Sequence, residues 1–222
     1  MTYLNEDNIR FVNHILIEEF GKANKPQRRG GTSGALIAGL LSQNTSDHNR
    51  DIGYNRLIER FDSWEKVANA DLDEVADAIE PAGMKNRRAP RIKALIETIH
   101  EKTGGYSADF LLKIPHDEAF EWLVSQKGIG EKTAAVFLLF HRGAPYFPVD
   151  THIRRILGRV GWFPIGTSAI KIQRAMTGIC PPELMKDLHW NIIQLGKSIC
   201  KPRNQKCRQC PLESVCDYGA SL

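Results

Sequence analysis

The sequence predicts an all-α protein with two helical lobes. Apolar residues recur at helical spacing in eleven segments, the breaks between them fall on Gly, Pro, Asn or Asp, and no stretch alternates as a strand would. The coil-rich run 22–31, KANKPQRRGG, is the best linker between lobes. A length of 222 residues admits one large domain or two small ones.

The elements follow in chain order. Segment 6–21 precedes the linker, and segments 32–42 and 47–60 follow it. Ser63 opens 64–69, its hydroxyl suited to cap the first amides. Asp71 opens 71–80 and stands three residues before Glu74, a capping-box arrangement. Glu80-Pro81-Ala82-Gly83 ends that helix ahead of 87–103, and Lys113-Ile114-Pro115 separates it from 117–126. Segments 131–141, 151–160, 168–178 and 183–199 complete the set.

Composition narrows the class. With 42% hydrophobic and 25% charged residues the chain is that of an ordinary globular protein. No apolar run approaches the ~20 residues of a membrane span, and MTYLNEDNIRFVNHI lacks the basic and apolar regions of a signal peptide. The expectation is a cytoplasmic protein, nucleoid-associated if prokaryotic, with no membrane partner. The net charge of +4 is modest, but positive residues gather in Lys25–Arg29, in Arg87, Arg88, Arg91 and Lys93, in Arg154–Arg155, and at Lys201, Arg203, Lys206 and Arg208. Separate basic patches suit a phosphate backbone; the bland alternative is a set of solvated faces.

Cys200, Cys207, Cys210 and Cys216 form a C-x6-C-x2-C-x5-C run within 17 residues. Four thiolates so close can encircle a [4Fe–4S] cluster or a Zn²⁺ ion. Structural zinc sites use two tight C-x2-C knuckles, and only Cys207 and Cys210 form one, so the spacing favours the cluster. Disulfides would need an oxidising compartment, for which the chain gives no sign. Cys180 lies outside the spacing and reads as a small buried apolar residue.

Residues 119–141 read as helix, turn and helix. The turn Lys127-Gly128-Ile129-Gly130 is expected to need glycine twice, for a tight reversal, with Ile129 plugging the space between the helices. The second helix begins with amides suited to a phosphate, and such a hairpin holds a nucleic-acid backbone without reading bases. Thr133 and Lys132 lie in its first turn. The helix dipole disfavours an ammonium there, and a neutral lysine amine can attack a carbon electrophile; the plainer alternative is a solvated lysine or a phosphate contact. Downstream, Asp150 in Val149-Asp150-Thr151-His152 stands where a helix begins. It reads as an N-cap, whose amides would hold the carboxylate rigid and ionised. Such a carboxylate can stabilise oxocarbenium character in a sugar. His152 reads as structural, or as a donor to a carbonyl or phosphate.

Gly128-Ile129-Gly130-Glu131-Lys132-Thr133-Ala134, Val149-Asp150-Thr151-His152, the cysteine spacing and Leu40-Leu41-Ser42-Gln43-Asn44-Thr45-Ser46-Asp47 together resemble the endonuclease III family, over roughly 30–217. Those are base-excision DNA glycosylases of the helix-hairpin-helix superfamily. The resemblance implies a six-helix barrel domain at 28–137 and an iron–sulfur cluster domain of 1–27 and 138–222, with the active cleft between. The partner would be double-stranded DNA with a damaged base, of pyrimidine type, or an abasic site, bound by a monomer. The damaged nucleotide would flip into the cleft. Lys132 would displace its base at C1′, and the Schiff base would allow β-elimination 3′ to the lesion. The cluster would fix the loop 201–206 so that Lys201, Arg203 and Lys206 meet phosphates. Met84 would enter the stack, and Asn44, or adjoining Gln43, would fill the vacated space; the alternatives are a core methionine and a turn residue. The family commonly has glutamine where Asn44 stands, Leu-Pro-Gly at Gln126-Lys127-Gly128, and an aromatic at Lys85. Monofunctional mismatch branches typically carry Tyr or Ser at the position of Lys132, and the adenine branch adds a C-terminal domain, whereas this chain ends six residues after Cys216. A non-catalytic DNA-binding module with a structural metal site would not need Lys132 and Asp150 together.

Overall fold

A computed structural model describes residues 3–24 and 29–221. Lys25 and Arg28 of the first basic patch, and the centre of the expected linker, lie outside the described residues. All eleven expected helical segments are present, and among the described residues there is no strand. The chain divides into two units, Pro26–Phe137 and a discontinuous one of Met1–Lys25 with Leu138–Leu222.

The continuous unit holds α2 (Gly31–Leu41), α3 (Asp47–Phe61), α4 (Trp64–Asn69), α5 (Leu72–Ala78), α6 (Lys85–Thr103), α7 (His116–Ser125) and α8 (Glu131–Phe137). Helix α2, GTSGALIAGLL, is apolar on most sides and packs against α3, α6 and α8. Leu36, Ile37, Leu40 and Leu41 of α2 are buried with Tyr54, Leu57, Ile92, Ile96 and Leu123. The local start signals act as their chemistry requires. The Ser63 hydroxyl accepts from the Lys66 amide at 3.2 Å, and Glu74 accepts from the Asp71 amide at 3.3 Å.

The discontinuous unit holds α1 (Glu6–Phe20), α9 (Thr151–Val160), α10 (Ala169–Ile179), α11 (Met185–Ser198) and a short α12 (Asp217–Ala220). Helix α11 packs against both α1 and α9. Its core joins Ile9, Val12 and Leu16 to Ile153, Ile156, Leu157, Ile192 and Leu195. Each such side chain contributes up to about 1.5–3 kcal/mol on burial. Cys180 is buried among them, as its sequence context suggests. Periodicity did not reveal α12, which is a single turn, nor the π-helical turn Leu138–Arg142 that follows α8 in the chain. No helix among the described residues is long and apolar enough to cross a membrane.

Candidate nucleic-acid interface and metal centre

In the continuous unit α7, the turn and α8 form the expected hairpin. Ile129 is buried, and its amide donates to the Gln126 carbonyl at 3.0 Å. The two glycines are not equivalent. Gly128 has φ +97°, and a Cβ there would lie 2.8 Å from Arg91 Cδ, so the fold itself requires glycine. Gly130 has no positive φ and nothing within 4 Å of its Cβ position. The expectation that the turn needs both is therefore corrected: Gly130 leaves an open, exposed approach to the backbone. Lys132 is exposed in the first turn of α8, while Thr133 is half-buried with its methyl close to Gly39. Beside the turn lies an open hollow lined by Gln43, Arg87, Arg91, Lys127, Gly128 and Thr133. Three cations at its wall suit an anionic ligand.

Gln43 and Asn44 have different surroundings. The Gln43 side-chain amide donates to the Gly128 carbonyl at 2.6 Å, tying it to the hairpin. Asn44 is exposed, with φ 51°. Met84 caps the N-terminus of α6 with φ 49° and stands 42% exposed, which removes it from the core. Neighbouring Lys85 is bound to Asp77 at 2.9 Å and Glu80 at 3.1 Å, and these carboxylates hold its ammonium above the usual lysine range.

In the discontinuous unit the segment ahead of α9 is clamped residue by residue. The Phe147 amide donates to Thr177 Oγ1 at 3.0 Å, and His189 Nδ1, carrying its proton, donates to the Pro148 carbonyl at 2.9 Å. Asp150 then caps α9, its Oδ1 accepting from the Ile153 amide at 2.8 Å. A carboxylate so held has little rotational freedom. His152 packs on Gly196, where a Cβ would come within 2.6 Å of its Nδ1. That nitrogen accepts from Arg155 at 3.2 Å, so this edge of the ring serves the unit's interior.

The four cysteines line one cavity, with Arg159, Lys206 and Tyr218 among its other walls, and about 300 Å³ of space including its open mouth. Among the described residues no three His, Cys, Asp or Glu side chains converge on a point as a single metal ion requires. Zinc needs its sulfurs at about 2.3 Å. What the cavity does show is four soft sulfur donors gathered on one wall system, the donor set that metal–sulfur centres use. Burial pushes the Cys210 thiol up to about 11, reinforced by repulsion from Cys200, Cys216 and Cys207, and burial likewise raises Cys216. Four neighbouring thiolates thus need compensating positive charge. Part of it is at hand: Arg159 donates to Cys200 Sγ at 3.2 Å and stacks over Tyr218 at 4.7 Å.

Arg159 also fastens the loop after Cys200, donating to the carbonyls of Lys201 at 2.8 Å and Pro202 at 3.2 Å. Gln205 bonds the Tyr218 hydroxyl at 2.8 Å. Lys201, Arg203 and Lys206 are exposed on this fastened loop. Sequence inspection missed Arg159 altogether, and two of the basic patches contain cations that fasten loops beside others, such as Arg87 and Arg91, that line the hollow. Arg154 donates to the Thr167 and Gly166 carbonyls, and Arg155 to those of Gly196 and Cys200. Lys93 serves the Ala68 and Ala70 carbonyls, and Arg88 is buried.

An all-α scaffold with this hairpin, a helix-capping aspartate and a cysteine-lined cavity defines a class. Residues 37–182 match the family described as HhH-GPD superfamily base excision DNA repair protein, and the chain belongs to that family. Within it the chain is an endonuclease III-like glycosylase. It is 31% identical to endonuclease III of Thermotoga maritima over 183 residues, covering 82% of this chain and 81% of that one. Two solved complexes of endonuclease III with DNA, one non-covalent and one a trapped covalent intermediate, share the fold. Each has TM-score 0.83, 24% identity and 98% coverage of both chains. A thermostable thymine-DNA glycosylase also shares it, with TM-score 0.80 at 17% identity, over 96% of this chain and 97% of that one.

Proposed function

We propose that the chain is a bifunctional DNA glycosylase and AP lyase that removes damaged pyrimidines from double-stranded DNA and cuts 3′ to the lesion. Lys132 carries this reading. Its amine follows the hairpin directly, where a bound backbone would present the sugar of a nucleotide flipped from the stack. The neutral amine attacks C1′ as the N-glycosidic bond breaks, and the base leaves with that bond's electron pair. Asp150 stabilises the oxocarbenium character that develops in the sugar. The lysine nitrogen then loses a proton and the C1′–O4′ bond breaks, O4′ leaving protonated as a hydroxyl, to give a ring-opened Schiff base. Loss of a 2′ proton from it expels the 3′ oxygen and opens the strand. Lysine in place of Tyr or Ser favours the bifunctional branch, and the trapped covalent intermediate of endonuclease III fits the same chemistry.

In this reading residues 28–137 form a six-helix barrel domain, and 1–27 with 138–222 the cluster domain. Cys200, Cys207, Cys210 and Cys216 hold a [4Fe–4S] cluster, which supplies a rigid crosslink. The chain's own residues do the rest: Lys201, Arg203 and Lys206 meet phosphates, Gly128, Ile129, Gly130 and Thr133 shape the backbone site, and Met84 and Asn44 enter the stack. With Gln43 committed to the hairpin, Asn44 supplies the free amide. His152 supports α9 and offers its other edge to DNA. The enzyme acts as a cytoplasmic monomer. Borohydride reduction on abasic DNA is the decisive test. The native chain should be trapped covalently and Lys132→Ala should not; persistent trapping in the variant would refute the nucleophile.

A further inference from the structure

Arg88 is 2% exposed, yet among the described residues no carboxylate pairs with it. Its guanidinium spends its donors on three main-chain carbonyls. One terminal nitrogen bonds Ala82 and also Gly83, the latter at 2.8 Å; the other bonds Gln43, 45 residues earlier in the chain. Burial holds its pKa below the usual arginine range, and Arg87 and Arg91 add repulsion. A buried cation satisfied only by carbonyl dipoles is an expensive way to fill space, since an apolar side chain of similar volume packs at less cost. The carbonyls it holds identify its task. Gly83 immediately precedes Met84 and Gln43 immediately precedes Asn44, and both following residues have left-handed backbones, φ 49° and φ 51°.

We propose that Arg88 is a positioning residue. It fixes the distance between Met84, which enters the base stack, and Asn44, which fills the space the target nucleotide leaves. This rests on the insertion roles given to those two residues above. Only a planar fork with five donors spans both loops at once; the lysine ammonium is a single point. Without the clamp each loop keeps its turn, but the pair loses its register.

The test uses duplex DNA with a tetrahydrofuran abasic analogue, which cannot be cleaved, opposite 2-aminopurine, whose fluorescence rises when it unstacks. The fluorescence at saturating protein is read, so weaker binding alone does not change it. Wild type should give a full rise, and Met84→Ala should lose most of it. Arg88→Met should lose at least half of the rise at saturation, and Arg88→Lys a smaller part. In the double variant Met84→Ala with Arg88→Lys, the loss should match that of Met84→Ala alone, because Arg88 acts through Met84. A full rise in Arg88→Met overturns the proposal, as does a full rise in Arg88→Lys should the methionine variant not fold. If Met84→Ala keeps the full rise, the insertion roles fail first and the proposal falls with them.

Discussion

Two glycines two residues apart in the hairpin turn should respond oppositely to alanine. At Gly128 the new Cβ meets a φ of +97° and an Arg91 carbon 2.8 Å away. Left-handed strain costs an L residue about 1–2 kcal/mol, and the arginine side chain can swing aside, so the loss should stay near that figure. At Gly130 there is no positive φ and nothing within 4 Å. Alanine there should gain about 0.4–1 kcal/mol by restricting the unfolded chain. Urea denaturation should thus separate the two variants by about 2 kcal/mol. Affinity for abasic duplex should reverse the order of Gly130→Ala. A phosphate oxygen in contact with the open backbone sits at about 2.9 Å, which a methyl group obstructs. A tenfold loss, about 1.4 kcal/mol, is expected. Equal stability losses would refute the geometry of the turn. A stable Gly130→Ala that binds as wild type would refute the backbone approach.

Further tests address separate parts of the molecule. Asparagine caps helices as well as aspartate does, so Asp150→Asn should unfold at the same urea concentration while base release falls at least a hundredfold; near-normal release would remove the carboxylate from the chemistry. Neutralising Lys201, Arg203 and Lys206 together should flatten the plot of log affinity against log salt by up to about 2.7, at about 0.9 per phosphate contact. An unchanged slope would count against the loop. Burial pushes the Cys180 thiol up to about 12, against about 8.5 for a free thiol. Between those values the unfolded chain releases a proton that the folded chain keeps, so stability falls as pH rises. At pH 10 the penalty relative to neutral pH is about 2 kcal/mol. Cys180→Ala should lack that alkaline loss in urea titrations, and an identical pH profile would contradict the burial.

What the sequence made legible was local. Ser63, the Asp71–Glu74 box and Asp150 declare themselves because cap and amide lie within three residues of each other. The hairpin is legible for the same reason. Arg88, Arg155 and Arg159 are not, because their partners are carbonyls more than 40 residues away for Gln43, Gly196, Cys200 and Lys201. Every residue carries a carbonyl, so no sequence pattern marks those partners. An arginine in a basic run therefore looks the same whether it faces phosphate or fastens a loop. Gly128 and Gly130 are equally indistinguishable by letter, since only backbone angle and surrounding space separate a glycine the fold requires from one it does not.

The discontinuous unit imposes an order on the chain's synthesis. Helix α1 packs on α11, and its Arg10 pairs at 2.9 Å with Glu183 in the turn just before α11, 173 residues away. At about 5–20 residues per second, α1 is made some 9–35 s before its partner. The intervening Pro26–Phe137 can close on itself during that delay, while Ile9, Val12 and Leu16 remain uncovered on the nascent chain. Cys200, Cys207, Cys210 and Cys216 are made later still, after every residue of the continuous unit.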